Sequence, residues 1–173
     1  MNPVAKLASL ILGLFGLGQA GAATPLDKAR DEPVFMAMPD AALADAAKAA
    51  KALLPDFIKL ISKVEPSDGS PMVKTYIEDP DGGGIWLWLA VDEVTPSGFE
   101  ARVFEAPPQF TDLVPGTRRF VPNEAVGDWA MVVSGVMHGG YSLRLQRNRL
   151  PESERATYDG YIGAESYAPL PIP

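Results

Sequence analysis

The chain has 173 residues, no cysteine and a formal charge of −7 at pH 7. Without cysteine neither a disulfide nor a lipid-modified N-terminal cysteine is available, so packing must hold the fold together. A net anion with no basic run gains little from neutralising phosphates, which argues against nucleic acid and anionic membrane surfaces as partners.

Lys6 precedes an apolar run from Leu7 to Leu17, and the small residues Ala20-Gly21-Ala22 come next. This order of charged, apolar and small segments predicts a secretory signal over residues 1–22, cleaved after Ala22 or Ala23. The apolar core falls short of the roughly 20 residues that cross hydrocarbon, so no stable membrane span is expected after cleavage. The mature protein is therefore expected to be periplasmic or secreted. Residues 23–39, with Pro25, Pro33 and Pro39, read as an extended lead-in. Residues 40–165 are enough for one hydrophobic core and are read as a single globular domain.

Asp40 opens an alanine-dominated run to Leu54 and is placed to cap the first turn of a helix. Pro55 is expected to interrupt or kink that helix. Phe57, Ile58, Leu60 and Ile61 then repeat at helical spacing, so the segment to about Val64 should bury a face. The turn formers of Glu65–Pro71 end it.

Beyond Met72 the apolar period changes to two, punctuated by glycine and proline, which predicts an antiparallel sheet. The expected strands are Val73–Glu78, Ile85–Val94, Phe99–Glu105, Arg118–Val121, Trp129–Val133 and Tyr141–Gln146. In the second, Ile85, Leu87, Leu89 and Val91 alternate with Trp86, Trp88 and Ala90, so it should be central and covered on both faces. In the last, Tyr141, Leu143 and Leu145 alternate with Ser142, Arg144 and Gln146, predicting one dry and one wet face. Thr95-Pro96-Ser97-Gly98 reads as a tight reversal and Ser134-Gly135 as a two-residue hairpin tip. Pro151–Glu154 is read as the start of a short helix, and the proline-punctuated residues 166–173 as a disordered tail. Together these elements predict an α+β fold, an N-terminal helix packed on a strongly bent antiparallel sheet. Closure into a small SH3-like barrel is the open alternative.

Several short motifs stand in one order along this frame: Leu54-Pro55-Asp56-Phe57, Val73-Lys74, Ile85-Trp86, Gly98-Phe99, Pro107, Val114-Pro115-Gly116, Gly127-Asp128-Trp129 and Gly139-Gly140-Tyr141-Ser142-Leu143-Arg144. In order and spacing they resemble the bacterial domain of unknown function 2314, over about Ala41 to Arg147. Members of that family usually carry a glutamate, and often a histidine, before the Ile-Trp pair, where this chain has Gly82-Gly83-Gly84. They tend to place an asparagine where Ala106 precedes Pro107. The resemblance implies a fold and the location of a site. It implies no reaction, since none is established for the family.

The candidate ligand-binding residues are Asp128, Trp129, His138, Gly139, Gly140, Tyr141 and Arg144. Asp128 is either a fixed carboxylate that binds a cation or orients His138, or an oxygen bonded to nearby backbone amides. Trp129 either walls a groove or fills the core. His138, the sole imidazole, would need a nucleophile and an orienting partner for acid–base work, and neither Ser134 nor Ser142 sits in a nucleophile-elbow pattern. Gly139-Gly140 suits a bulge or the floor of a groove. Arg144 has a planar fork suited to a carboxylate, a ligand's or that of Asp128. Glu78–Gly84 lacks the oxygen spacing of a calcium loop, so no metal is assigned, and no cofactor is expected. Function is accordingly expected to be non-catalytic binding of a peptide, glycan or protein in the cell envelope. The alternatives are a hydrolase using Asp128 and His138 and an immunity-type protein that occupies another protein.

Overall fold

Alanine, the strongest helix former, dominates Ala41–Ala52, which forms helix α1, and Leu54–Ile61 forms α2. Pro55 lies in the first turn of α2, where its missing N–H breaks no intrahelical bond, so the chain bends at Leu53 and resumes as a second helix. The computed structural model describes residues 41–78, 83–104 and 113–170. The expected signal, the lead-in, the Asp40 cap, Pro107 and residues 171–173 lie outside these.

Seven strands come after the helices: β1 Gly69–Glu78, β2 Gly84–Thr95, β3 Gly98–Val103, β4 Arg118–Pro122, β5 Val126–Val133, β6 Val136–Gly139 and β7 Ser166–Tyr167. They form one sheet in the order β4-β3-β2-β1-β5-β6-β7. All neighbours pair antiparallel except β6 and β7, which run parallel. The fold is thus α+β, as expected, but the sheet stays open with β4 and β7 at its edges, and the barrel alternative is not formed. Two register shifts bend it, one where Gly127 is the extra residue between β5 and β1, the other where Asp92 is extra between β2 and β3. The hairpin tips fall where the sequence places them. Ser134 and Gly135 both take positive φ, 47° and 78°, as a two-residue turn between right-twisted strands requires.

One expectation fails clearly. Tyr141–Gln146 is not a strand; Tyr141–Arg149 forms helix α3, and Glu152–Ile162 forms α4. Six residues of alternating apolarity suit a short helix as well when its two sides meet different cores. Here Tyr141 joins the core beneath α1 and α2, and Leu143 joins the core beneath α4. The supposed tail also begins in order: β7 pairs with β6, and the Ala168 N–H donates to the Met137 carbonyl at 3.0 Å.

Strand alternation sorts the side chains into two layers. Val73, Leu87, Leu89, Phe99, Val121, Trp129 and Met131 pack with Phe57 of α2 in the larger core. On the opposite face Ala130 and Met137 pack with Leu143, Tyr158 and Ile162 from α3 and α4. Those two helices cover only part of that face. Trp86 is 37% exposed and its neighbour Tyr76 44%, so β2 is sealed on one side alone, contrary to the expectation of a strand covered on both.

Candidate functional site

Lys74 of β1 and Asp128 of β5 are direct cross-strand partners, and both are buried. Asp128 Oδ1 accepts the N–H of Trp129 at 2.8 Å and of Tyr141 at 3.2 Å; Oδ2 accepts the N–H and the hydroxyl of Ser142, each at 2.7 Å. Tyr141 and Ser142 are the first residues of α3, so the carboxylate satisfies amides a helix start leaves open and meets the positive end of its dipole. Lys74 Nζ donates to Ser142 Oγ at 3.2 Å and lies 5.8 Å from the Trp88 ring centre. Burial pushes the Asp128 carboxyl up, opposed by Ser142, Lys74 and Trp129; burial pushes the Lys74 ammonium down, opposed by Asp128. Every contact to Asp128 is a donor, which is the environment of an ionised carboxylate.

Ser142 and Lys74 resemble the parts of a serine–lysine nucleophile, yet the geometry serves structure. The hydroxyl is buried, its proton points to Asp128, and the amides that could receive an oxyanion already donate to the same carboxylate.

The paired glycines make this junction. Gly139 ends β6 at φ 66° and Gly140 precedes α3 at φ 67°, both left-handed. A side chain on Gly139 would also meet the Trp129 ring at 2.4 Å. They turn the chain out of the sheet and into the helix, rather than bulging within a strand as expected.

Trp129 fills the core. Its ring stacks on Phe57 with centres 4.9 Å apart and meets the edge of Tyr141 at 5.8 Å, while its indole N–H donates to the Ala50 carbonyl at 2.9 Å. Arg144 donates to three carbonyls, those of Gly139 at 2.7 Å, Met137 at 2.9 Å and Ala168 at 2.7 Å, and stacks on Tyr167. Next to it, Arg147 grips Asp159 with two bonds of 2.6 and 2.7 Å, and the Tyr167 hydroxyl donates to the same carboxylate. Arg144 thus holds backbone and is not bonded to Asp128.

His138 pairs with Met131, which puts it on the sheet face opposite Asp128. Partial burial, then the Arg144 charge, holds its imidazole below the ordinary value. The seven candidate residues therefore gather around one strand–helix junction without lining one surface, and the Asp128–His138 pair does not form. Sequence reasoning passed over Lys74 as a partner. Its signal was a lysine in phase with Met72 and Tyr76, on the face shared with Trp86 and Trp88. Among the described residues, no three His, Asp or Glu side chains gather as a metal site, and no helix is long and apolar enough to cross a membrane.

The accessible chemistry lies elsewhere. Tyr76 and Trp86 stand opposite each other on β1 and β2, their rings edge to face at 5.5 Å, on the part of the sheet that α3 and α4 leave open. Trp86 lies over Gly127, where an added Cβ would meet its ring at 2.3 Å.

The residues quoted for the family resemblance thus converge: Lys74, Asp128, Trp129, Gly139, Gly140 and Ser142 build one junction, and Trp86 covers Gly127. A family model described as an uncharacterized protein conserved in bacteria, DUF2314, matches residues 40–165. The chain belongs to this family. The chain is also similar to a putative ankyrin repeat protein of Neisseria meningitidis serogroup B, 26% identical over 97 residues, which is 54% of this chain and 38% of that protein. The chain therefore spans well under half of that relative's length. No solved structure matches this chain.

Proposed function

We propose that this DUF2314 domain is a non-catalytic interaction module of an exported protein, and that it engages a partner protein in the cell envelope. The observation that carries this reading is the uncovered aromatic pair Tyr76 and Trp86. Exposed tryptophan and tyrosine supply large contact area at low entropic cost and are enriched where proteins bind one another. The polar groups of the strand–helix junction meanwhile bond to one another, leaving no accessible nucleophile and base there. The description of the Neisseria relative as an ankyrin repeat protein supports a protein partner, because ankyrin arrays present extended binding surfaces. An immunity-type role is a special case of the same reading, and the leader-like residues 1–22 support export.

A photoreactive phenylalanine analogue placed at Tyr76, and as a control at exposed Lys59 on α2, tests the contact in the native host. A protein adduct formed at position 76 and absent at 59 is expected. Equal patterns at both positions, or an adduct only with glycan, would overturn it. The export half is checked by the N-terminus of protein recovered from the envelope, expected at residue 23 or 24. A retained Met1 would refute it.

A further inference from the structure

We infer that the outer edge of β4 is a docking edge for an acidic, extended segment of a partner protein, which adds to the seven-stranded sheet as one more antiparallel strand. This rests on the reading of the domain as a protein-binding module and supplies its partner chemistry.

Among the described residues β4 pairs with β3 alone. Hydrogen bonds flanking the strand fix which backbone groups point away from β3. The Val103 N–H donates to the Thr117 carbonyl at 2.9 Å and the Asn123 N–H to the Ser97 carbonyl at 3.0 Å. In an antiparallel ladder the bonded positions alternate, so Arg119 and Val121 turn their backbone groups toward β3, and Arg118 and Phe120 turn theirs outward. Pro122 has no N–H to offer and ends the usable edge.

Charge selects what can lie there. Arg118 and Arg119 are both exposed, and neither has an ion-pair partner among the described residues. The neighbouring Arg102 is by contrast bound to Asp92, at 2.8 Å through Nε and 2.6 Å through Nη2. Alternation puts Arg119 on the face of buried Val121 and Arg118 on the face of Phe120, which is 47% exposed. An incoming strand therefore meets one guanidinium above the sheet and one below. A second copy of this chain is disfavoured, because pairing edge to edge would bring the same arginines against each other. A carboxylate-bearing strand pairs with both cations, and an apolar residue in its sequence can cover Phe120.

The test titrates the full, isotope-labelled protein with two synthetic peptides of equal length, one alternating glutamate with valine and one alternating lysine with valine. The glutamate peptide is expected to shift the amides of Arg118 and Phe120 and slow their hydrogen exchange, and the lysine peptide to leave them unchanged. Arg118→Glu with Arg119→Glu should weaken the glutamate peptide about tenfold or more, mainly through a slower on-rate, and the double change to lysine should retain most binding. Both sites are exposed, and an unchanged melting temperature verifies that each variant is folded. Equal binding of the two peptides, no response at β4, or arginine-dependent self-association of the protein would overturn the inference. A response centred on Tyr76 and Trp86 instead would overturn the edge proposal and leave the interaction module standing; silence at β4 together with no adduct at position 76 would remove both.

Discussion

The Lys74 ammonium and the Asp128 carboxylate meet in the protein interior as cross-strand partners, joined through the hydroxyl of Ser142. Removing one charge strands the other away from water. Asp128→Asn is expected to cost about 3–5 kcal/mol in denaturant unfolding, because an amide also turns donors toward amides it should accept. Lys74→Met alone should cost a similar amount. The double variant should be markedly less destabilised than the sum of the two, and strict additivity would show that the pair is not coupled.

The two junction glycines should differ in tolerance. Both have left-handed φ, but a Cβ on Gly139 would clash with the Trp129 ring and its carbonyl, whereas one on Gly140 would press only on the flexible Met137 side chain at 3.3 Å. Gly140→Ala is expected to cost about 1–2 kcal/mol from backbone strain, and Gly139→Ala about 3 kcal/mol or more, by thermal or urea melts. Equal losses would mean the ring moves aside freely.

Tyr141 is buried and its hydroxyl has no hydrogen-bond partner among the described residues. Tyr141→Phe removes an unsatisfied polar group while keeping the ring against Trp129, so stability should stay within about 1 kcal/mol of the parent, on the stabilising side. A large loss would reveal a partner for that oxygen.

Arg144 ties β6 to the chain just beyond β7. Arg144→Lys keeps the charge but loses the fork that reaches three carbonyls, and should cost about 1–3 kcal/mol. Hydrogen exchange should accelerate first at Ala168, whose N–H bonds to Met137. Uniform acceleration across the sheet would contradict this local role.

His138 sets a pH dependence of known sign. Its imidazole is held below the ordinary 6.5, so between that value and its lower folded one the unfolded chain binds more protons. Its contribution to stability is present above pH 6.5 and is lost as pH falls through the folded value. His138→Gln should flatten this part of the urea-midpoint profile, and a profile unchanged by the substitution would refute the assignment.

Much of the frame was legible because it rests on local chemistry. The break at Pro55, the Ser134-Gly135 turn and the β1-to-β4 order arise from backbone preference and a period of two. The strand–helix junction was not legible, because α3 is capped by a carboxylate 13 residues earlier in the chain than Tyr141. No N-cap side chain precedes it; Gly140 stands there. Asp128 beside glycine was readable as an oxygen for backbone amides, which it is, although the helix it serves was read as a strand. The open face of Trp86 was hidden for a different reason: an apolar strand does not disclose how far a covering helix extends.

Strands β4 to β1 are a meander of successive neighbours, and β5 with β6 is a second hairpin; the two halves join only where β5 lies along β1. The charged pair sits on that seam. If the halves met one residue out of step, alternation would thrust Asp128 into the layer of Phe57 and leave Lys74 facing a tryptophan. A slipped sheet would therefore bury one charge without its partner once α3 covers the seam, so Lys74 and Asp128 favour the observed register.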